Sequence, residues 1–134
     1  MYKYREDMKF GEEQERIVFD YLKKNYYHSL EKSKKNDIYD FFDTKSKTYI
    51  ELKSRRCKYR DFETTLYPYN KVKFADEKLG DYKFCFIFNF KDGIYKYDYK
   101  GKTKFKIKLA GRVDRNKYEI KKYLHIPIKN LVKI

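Results

Sequence analysis

The sequence predicts an α/β domain in which a mixed central sheet is flanked by helices. Three observations indicate this class: apolar residues at helical spacing near the N-terminus, a hairpin pattern ending in YIELKS, and the segment YKFCFIFNF, which is apolar on both faces. The chain has 134 residues and no repeat or Pro/Gly/Ser-rich linker, so we expect a single domain over residues 1–134.

The first predicted element is a helix over about residues 7–24, ended by Asn25. Apolar residues spaced three or four apart define the face that should pack against the sheet. These residues are Phe10, Ile17, Val18, Tyr21 and Leu22.

A hairpin follows in IYDFFDTKSKTYIELKS, with residues 44–47 as a four-residue loop. This loop places Asp43 opposite Thr48 and, three pairs further on, Asp40 opposite Glu51. Side chains alternate along a strand, so one face is predicted to carry Asp40, Phe42, Tyr49, Glu51 and Lys53. The other face is apolar, should be turned to the core and carries Tyr39, Phe41, Ile50 and Leu52.

A second helix is predicted in LYPYNKVKFADEKLG, with Asn70 as the N-cap and Gly80 after its end. The segment YKFCFIFNF then forms a central strand, and residues 91–93 turn the chain into a strand at IYKYDYK. Residues 102–109 alternate lysine with threonine or apolar residues, which predicts a ribbon with its lysines on one side. A short helix near residues 115–122 and the segment LHIPIKNLVKI close the chain.

The charge of the chain indicates a polyanionic partner. Lys plus Arg number 34 against 20 Asp plus Glu, a formal charge of +14, and residues 100–133 hold twelve basic and two acidic residues. No basic amphipathic helix with a membrane-binding face is apparent, so nucleic acid is favoured over a membrane surface. An A+T-rich genome would also raise the lysine and tyrosine content, but it would not explain the clustering.

The cysteines and the N-terminus indicate a reducing compartment. Cys57 and Cys85 lack metal-type or CxxC spacing, so we interpret both as free thiols. No apolar run is long enough to span a membrane, and the first ten residues lack the apolar stretch of a signal peptide. We therefore expect an intracellular, cytosol-like location.

An acid followed two residues later by lysine is weak evidence of a site by itself. The pattern occurs seven times in this chain, against about four times expected by chance. At Glu51 and Lys53, however, the hairpin adds a second acid, Asp40, directly opposite the first. Facing carboxylates destabilise a strand pair, and a divalent cation between them would remove that cost.

The predicted acid pair suits Mg²⁺, with Mn²⁺ as a substitute. Mg²⁺ prefers hard oxygen ligands and usually takes one or two carboxylates together with waters and substrate phosphate. Asp40 and Glu51 provide that number, and the backbone carbonyl of Leu52 could add a third oxygen. The alternative is an exposed acid pair at the sheet edge, weakly paired with Lys53.

A third acid should come from the first helix, where Glu12, Glu13 and Glu15 compete. On a helical wheel, Glu15 falls beside Leu22 at the border of the apolar face, whereas the other two fall outside it. Glu15 can therefore reach over the sheet. Glu12 and Glu13 fit better the alternative role of acids that the helix dipole stabilises near the N-terminus of the helix.

With these residues assembled, the chain resembles the PD-(D/E)xK nuclease superfamily. GEEQER in the first helix and IELKSRR in the hairpin are similar to segments of archaeal Holliday-junction resolvases, and ELKSRRCKYRDFETTLYPYNK resembles small nucleases of large DNA viruses and phages. The motifs cover about residues 11–73. Tyr39 stands where the superfamily motif has proline, a position that varies widely in these enzymes.

The resemblance implies a restriction-endonuclease-like core and metal-dependent phosphodiester hydrolysis of DNA, in repair or recombination. It makes Asp40 and Glu51 direct metal ligands, Glu15 an auxiliary ligand often acting through water, and Lys53 the catalytic lysine. A homodimer is left open, because no matched residue supports the resolvase interface. A viral or phage origin is likewise only implied.

Basic residues beyond Lys53 are candidates for binding flanking phosphates. They are Arg55, Arg56, Lys58, Arg60, Lys71 and Lys73. Alternatively, each of these basic side chains is simply solvated. Tyr59, Tyr67 and Tyr69 lie among them in the sequence and could stack on bases or pack in the core. Two functions remain as alternatives to the DNA endonuclease: a non-catalytic nucleic-acid-binding module that keeps the nuclease fold, and a nuclease acting on RNA.

Overall fold

A six-stranded mixed sheet forms the centre of the computed structural model, which describes residues 4–34, 37–101, 104–110 and 121–134. Within these residues the elements are α1 (Tyr4–Asn25), β1 (Leu30–Lys32), β2 (Phe41–Asp43), β3 (Thr48–Ser54), β4 (Thr64–Pro68), α2 (Tyr69–Lys78), β5 (Lys83–Phe90), β6 (Gly93–Tyr99), β7 (Ile107–Ala110), β8 (Lys121–Pro127) and β9 (Val132–Lys133). A short 3-10 helix, Ile128–Asn130, precedes β9. The predicted α/β class is confirmed.

The strand order of the large sheet is β1-β2-β3-β5-β6-β9. Strands β3 and β5 are parallel and the other neighbours are antiparallel. A parallel pair needs a crossover connection, and β4 with α2 supplies it. Strands β4, β8 and β7 form a second, three-stranded antiparallel sheet, which the sequence did not predict.

Both faces of the large sheet are covered, which explains why β5 is apolar throughout. Cys85 and Ile87 pack on the side of α1, with Val18 and Leu22. Phe84, Phe86, Phe88 and Phe90 point to the opposite side, where α2 and the second sheet cover them. Two separate apolar clusters result, and the sheet lies between them.

The predicted hairpin register is confirmed. Phe41 pairs with Ile50, Phe42 with Tyr49, and Asp43 with Thr48. Burial holds this register, because a shift by one residue would turn the fully buried Phe41 and Ile50 away from α1. In the loop, the Asp43 carboxylate accepts a hydrogen bond from the Ser46 backbone N–H at 3.0 Å.

Two apolar placements differ from the prediction. Tyr39 does not share a face with Phe41, because β2 begins only at Phe41 and the chain bends before it. Its ring lies with Tyr49 and Phe84, in the cluster on the α2 side. Ile17 is 44% exposed, so the packing face of α1 is rotated toward Glu15 and Phe19 relative to the predicted arc.

The later elements also differ in part. Helix α2 begins at Tyr69 with Pro68 as its N-cap, and no side chain caps it, so Asn70 lies inside the first turn. Proline at φ −60° lets β4 run directly into the helix. Residues 102–103 of the predicted ribbon lie outside the described residues. Strand β7 begins at Ile107 and extends one residue past the ribbon to Ala110, and Ile107 and Leu109 on its apolar side are exposed. The predicted helix near residues 115–122 falls largely outside the described residues, and its last two positions begin β8 instead.

Candidate active site

Glu51 is the most deeply buried charged side chain of the predicted site, with 1% of its surface exposed. It lies on β3, paired with Phe86 of β5, and points to the face that α2 covers. The Lys53 ammonium lies 3.3 Å from its Oε2, and the Lys71 ammonium contacts the same oxygen. Its other oxygen, Oε1, is buried without a hydrogen-bond partner among the described residues.

This environment raises the pKa of Glu51 to about 7. Burial is the main cause, since it penalises the charged form, and the nearby charge of Asp40 adds to it. Lys53 and Lys71 act in the opposite direction by stabilising the carboxylate. A buried acid that titrates near neutral pH is typical of functional sites.

Asp40 lies one residue before β2 and directly precedes Phe41, whose pairing with Ile50 is the last pair of the hairpin. Its Oδ2 accepts a hydrogen bond from the Leu52 backbone N–H at 2.8 Å, which fixes the carboxylate at the end of the strand pair. The charge of Asp40 contributes to the raised pKa of both Glu51 and Glu15. Glu51 points to the α2 side of the sheet, however, whereas α1 with Glu15 covers the opposite side.

Glu15 is half-buried on the sheet-facing side of α1, in line with Val18, Phe19 and Leu22. Its pKa is raised, first by burial and then by the charge of Asp40, while Lys32 of β1 opposes the shift. Glu12 and Glu13 are exposed. Of the three helix acids, Glu15 is therefore the partly buried one, as the helical wheel predicts.

The N-terminal half of α1 is attached to the sheet beside Glu15. The side-chain amide of Asn89 donates to Oε1 of Gln14 at 2.8 Å, which joins the helix to the end of β5. Phe19 packs on Phe41 with ring centroids 5.2 Å apart. These contacts on either side of Glu15 fix its position along the sheet.

Lys53 has a lowered pKa, and burial is the main cause. Nearby Lys71 and Arg55 lower it further, whereas Glu51 and Asp40 raise it. A lysine in this environment can still act as a cation toward phosphate, and it gives up a proton more readily than an exposed lysine.

Lys71 is directed into the site rather than toward solvent. It lies in the first turn of α2, its side chain is 17% exposed, and its ammonium pairs with Glu51. The hydroxyl of the buried Tyr39 donates to its backbone carbonyl at 2.6 Å, which ties the helix start to the hairpin. The sequence prediction grouped Lys71 with the phosphate-binding residues. In the sequence, the adjacent apolar residue Val72, which is buried in the structure, was the signal for an inward orientation of this helix turn.

The other predicted phosphate-binding residues fall into two groups. Arg55 is turned inward, and its guanidinium donates to the Leu66 carbonyl at 2.6 Å. The remaining residues are exposed: Arg56, Lys58, Arg60 and Lys73. The guanidinium of Arg56 also lies 4.6 Å from the centre of the Phe10 ring. Of the three tyrosines, Tyr67 is fully buried against Phe86 and cannot stack on a base.

The oxygen donors fit a hydrated divalent cation better than a closed metal centre. Among the described residues, no three His, Cys, Asp or Glu side chains form a group that could hold a metal ion by themselves. Asp40 and Glu51 nevertheless supply two hard carboxylates, and Glu51 Oε1 is buried without a partner. Mg²⁺ usually keeps several waters and takes few protein ligands, so this donor set suits it.

No helix within the described part of the chain is long and apolar enough to cross a bilayer. No family model matches the chain, and neither the curated proteins nor the solved structures include a significantly similar one.

Proposed function

We propose that the chain is a metal-dependent DNA endonuclease with a restriction-endonuclease-like core, and that branched or otherwise structured DNA is its preferred substrate. The observation that carries the proposal is the buried Glu51 carboxylate, which has Asp40 nearby and the ammonium groups of Lys53 and Lys71 on one of its oxygens. Burying these charges together costs free energy. Clusters with such perturbed acids and bases are typical of functional sites.

In this proposal Asp40 and Glu51 hold Mg²⁺ or Mn²⁺, the Leu52 carbonyl adds an oxygen, and Glu15 assists through water. When bound, such a cation lowers the pKa of a coordinated water and neutralises charge on the phosphoryl oxygens. Lys53 orients the attacking water or stabilises the negative charge of the transition state. Its lowered pKa also makes it a candidate to accept the proton of that water.

The charge balance supports a phosphodiester substrate. When Glu51 is ionised, the two acids Asp40 and Glu51 balance the two lysines Lys53 and Lys71. Because the pKa of Glu51 is raised to about 7, the cluster is partly protonated at neutral pH and is not negative before a cation binds. A divalent cation would make the cluster positive and suited to a phosphate with its developing charge. The formal charge of +14 over the whole chain would attract the rest of the polyanion.

The test is a panel of substrates, each incubated with Mg²⁺, Mn²⁺ or EDTA. The panel contains supercoiled plasmid, linear duplex, single strands, a four-way junction and matched RNAs. We expect metal-dependent cleavage of DNA, with Glu51→Gln and Lys53→Ala each lowering the rate by about 100-fold or more. Glu77→Gln and Lys83→Ala alter exposed residues of the same types and serve as controls.

Cleavage that survives both site substitutions would refute the assignment. Preferential cleavage of RNA would instead support the RNA nuclease, and equal rates on the junction and the linear duplex would refute the preference for branched DNA.

A second candidate is a non-catalytic nucleic-acid-binding module. It is favoured by the internal pairing of Glu51, whose Oε2 already contacts two lysines. Tight DNA binding without cleavage under every metal condition would support this candidate.

A further inference from the structure

A cavity of about 550 Å³ lies beside the candidate active site. The segment that follows β3 forms one wall, and strands β4 and β8 of the second sheet form the other. Its walls include Arg55, Tyr59, Phe62, Leu66, His125 and Ile128. The volume falls within the range of about 300–1,000 Å³ that is usual for small-ligand pockets, and it exceeds what a single nucleobase needs.

Aromatic rings supply the apolar part of this cavity. Phe62 is 66% exposed, an unusual state for a phenylalanine that lines a pocket. Tyr59 is held firmly: its ring stacks on Tyr95 with centroids 4.1 Å apart, and its hydroxyl donates to the Ile128 carbonyl at 2.6 Å. A rigid ring and an exposed one offer flat surfaces to a planar ligand.

Polar and charged side chains form the rest of the cavity wall. Arg55 and Lys58 bring two positive charges to the cavity, and Glu63 brings one carboxylate. The His125 ring also lines it, and its Nε2 is buried without a hydrogen-bond partner among the described residues. A ligand that combines a planar ring with hydrogen-bonding edges and an anionic backbone would use all of these features.

The position of the cavity relates it to the proposed cleavage site. Arg55 follows Lys53 by two residues, a distance of about 7 Å along an extended chain. Lys53 and the cavity therefore lie at the same end of β3, close together along the chain.

We infer that this cavity takes one unpaired nucleobase of the DNA strand, next to the phosphodiester bond that is cut. The inference rests on the proposed nuclease function and deepens it, because it specifies a substrate with an unpaired base at the site, as in a bulge, flap or junction. Paired bases in a duplex cannot enter a cavity without leaving the stack.

The first experiment measures binding in EDTA, so that it does not depend on cleavage. The probe is a duplex with one unpaired 2-aminopurine, and the reference is the same duplex fully paired. We expect the fluorescence of 2-aminopurine to be quenched on binding. Phe62→Ala should weaken binding of the bulged duplex by about tenfold, as expected for the loss of one stacked base. Tyr26→Ala removes an exposed aromatic residue directly after α1, outside the cavity, and should have no such effect.

The second experiment uses the thiols of the chain. Cys57 lines the cavity, whereas Cys85 is 1% exposed in the core and serves as an internal reference. Bulged DNA should slow the alkylation of Cys57 by a maleimide, and paired DNA of the same length should slow it much less. This readout works even if Phe62→Ala folds poorly.

The outcomes separate the two proposals. Equal affinity for bulged and paired DNA, or quenching that Phe62→Ala leaves unchanged, would overturn the base pocket even if the protein cuts DNA. Quenching that weakens with Phe62→Ala but not with Tyr26→Ala, together with protection of Cys57 in the wild type by bulged but not by paired DNA, would support the pocket. The metal-dependent panel decides separately whether the strand is cut.

Discussion

The ammonium of Lys53 lies 3.3 Å from Oε2 of Glu51, two residues earlier on the same strand. Residues two apart on a strand share a face, so β3 alone guarantees that this acid and this amine are neighbours. The second amine, from Lys71, arrives from a different element, and its contribution can be separated by mutation.

Lys71→Met should destabilise the metal-free protein by about 1–3 kcal/mol, because it leaves the buried Glu51 carboxylate with one cation fewer. We expect Mg²⁺ to raise the melting temperature of this variant more than that of the wild type, since a cation would replace the lost ammonium. Thermal unfolding in EDTA and in Mg²⁺ measures both effects. Lys73→Met removes an exposed lysine of the same helix, and equal stability of the two variants would contradict the role of Lys71.

The stability of the metal-free protein should fall as the pH rises from about 4.5 to about 7. The pKa of Glu51 is raised to about 7 in the folded protein, so the native state holds a proton that the unfolded chain releases at lower pH. Ionisation of Glu51 should lower the free energy of unfolding by about 3 kcal/mol over this range. Urea unfolding across this range in EDTA should show a flatter pH dependence for Glu51→Gln, and an unchanged slope would refute the raised pKa.

Glu15→Gln should increase the concentration of Mn²⁺ needed for half-maximal cleavage by about tenfold, as is common when a residue that supports metal ligands is changed. Folding should be almost unaffected because the side chain is only half-buried. Glu12→Gln, one turn earlier and exposed, is the matched control. A metal requirement that moves equally in both variants would argue against the inward orientation of Glu15.

Leu22→Ala should lower the free energy of unfolding by about 2–5 kcal/mol, because Leu22 is fully buried between α1 and the sheet. Ile17→Ala on the same helix should cost less than about 1 kcal/mol, since Ile17 is 44% exposed. Chemical denaturation of the two variants compares the observed packing face with the one expected from the helical wheel. Similar losses of stability in the two variants would favour the predicted arc, which contains both residues.

Lys58→Ala and Arg60→Ala should each reduce the salt dependence of DNA binding. Every phosphate contact that is lost lowers the slope of log affinity against log salt by about one unit. Lys45→Ala is a suitable control, because this exposed lysine lies in the hairpin loop at the opposite end of β3 from Lys53. Titration of a fluorescent duplex at several salt concentrations gives the slopes, and identical slopes in all three variants would exclude these side chains from the interface.

The local pattern of apolar residues was sufficient to predict the hairpin and β5. The pairing of Phe41 with Ile50 follows from alternation and burial within fifteen residues of chain, and these interactions are visible in the sequence. The class of the fold and the approach of Asp40 to Glu51 were predictable for the same reason.

Long-range pairing was not predictable in this way. Strand β4 pairs with β8, so that Leu66 lies opposite His125 almost sixty residues later, and nothing in either segment specifies that partner. Lys71 reaches Glu51 only because the crossover returns α2 over the sheet. The prediction placed Tyr39 on the same face as Phe41 because it continued the alternation of side chains to residues before Phe41, where β2 begins.

The crossover between β3 and β5 also has a kinetic consequence. Glu51 and Lys53 become neighbours as soon as β3 is extended, but the contact with Lys71 requires a loop of about twenty residues to close and α2 to dock. During refolding, the acid and its first amine should therefore form early, while the complete cluster matures together with the native docking of the helix.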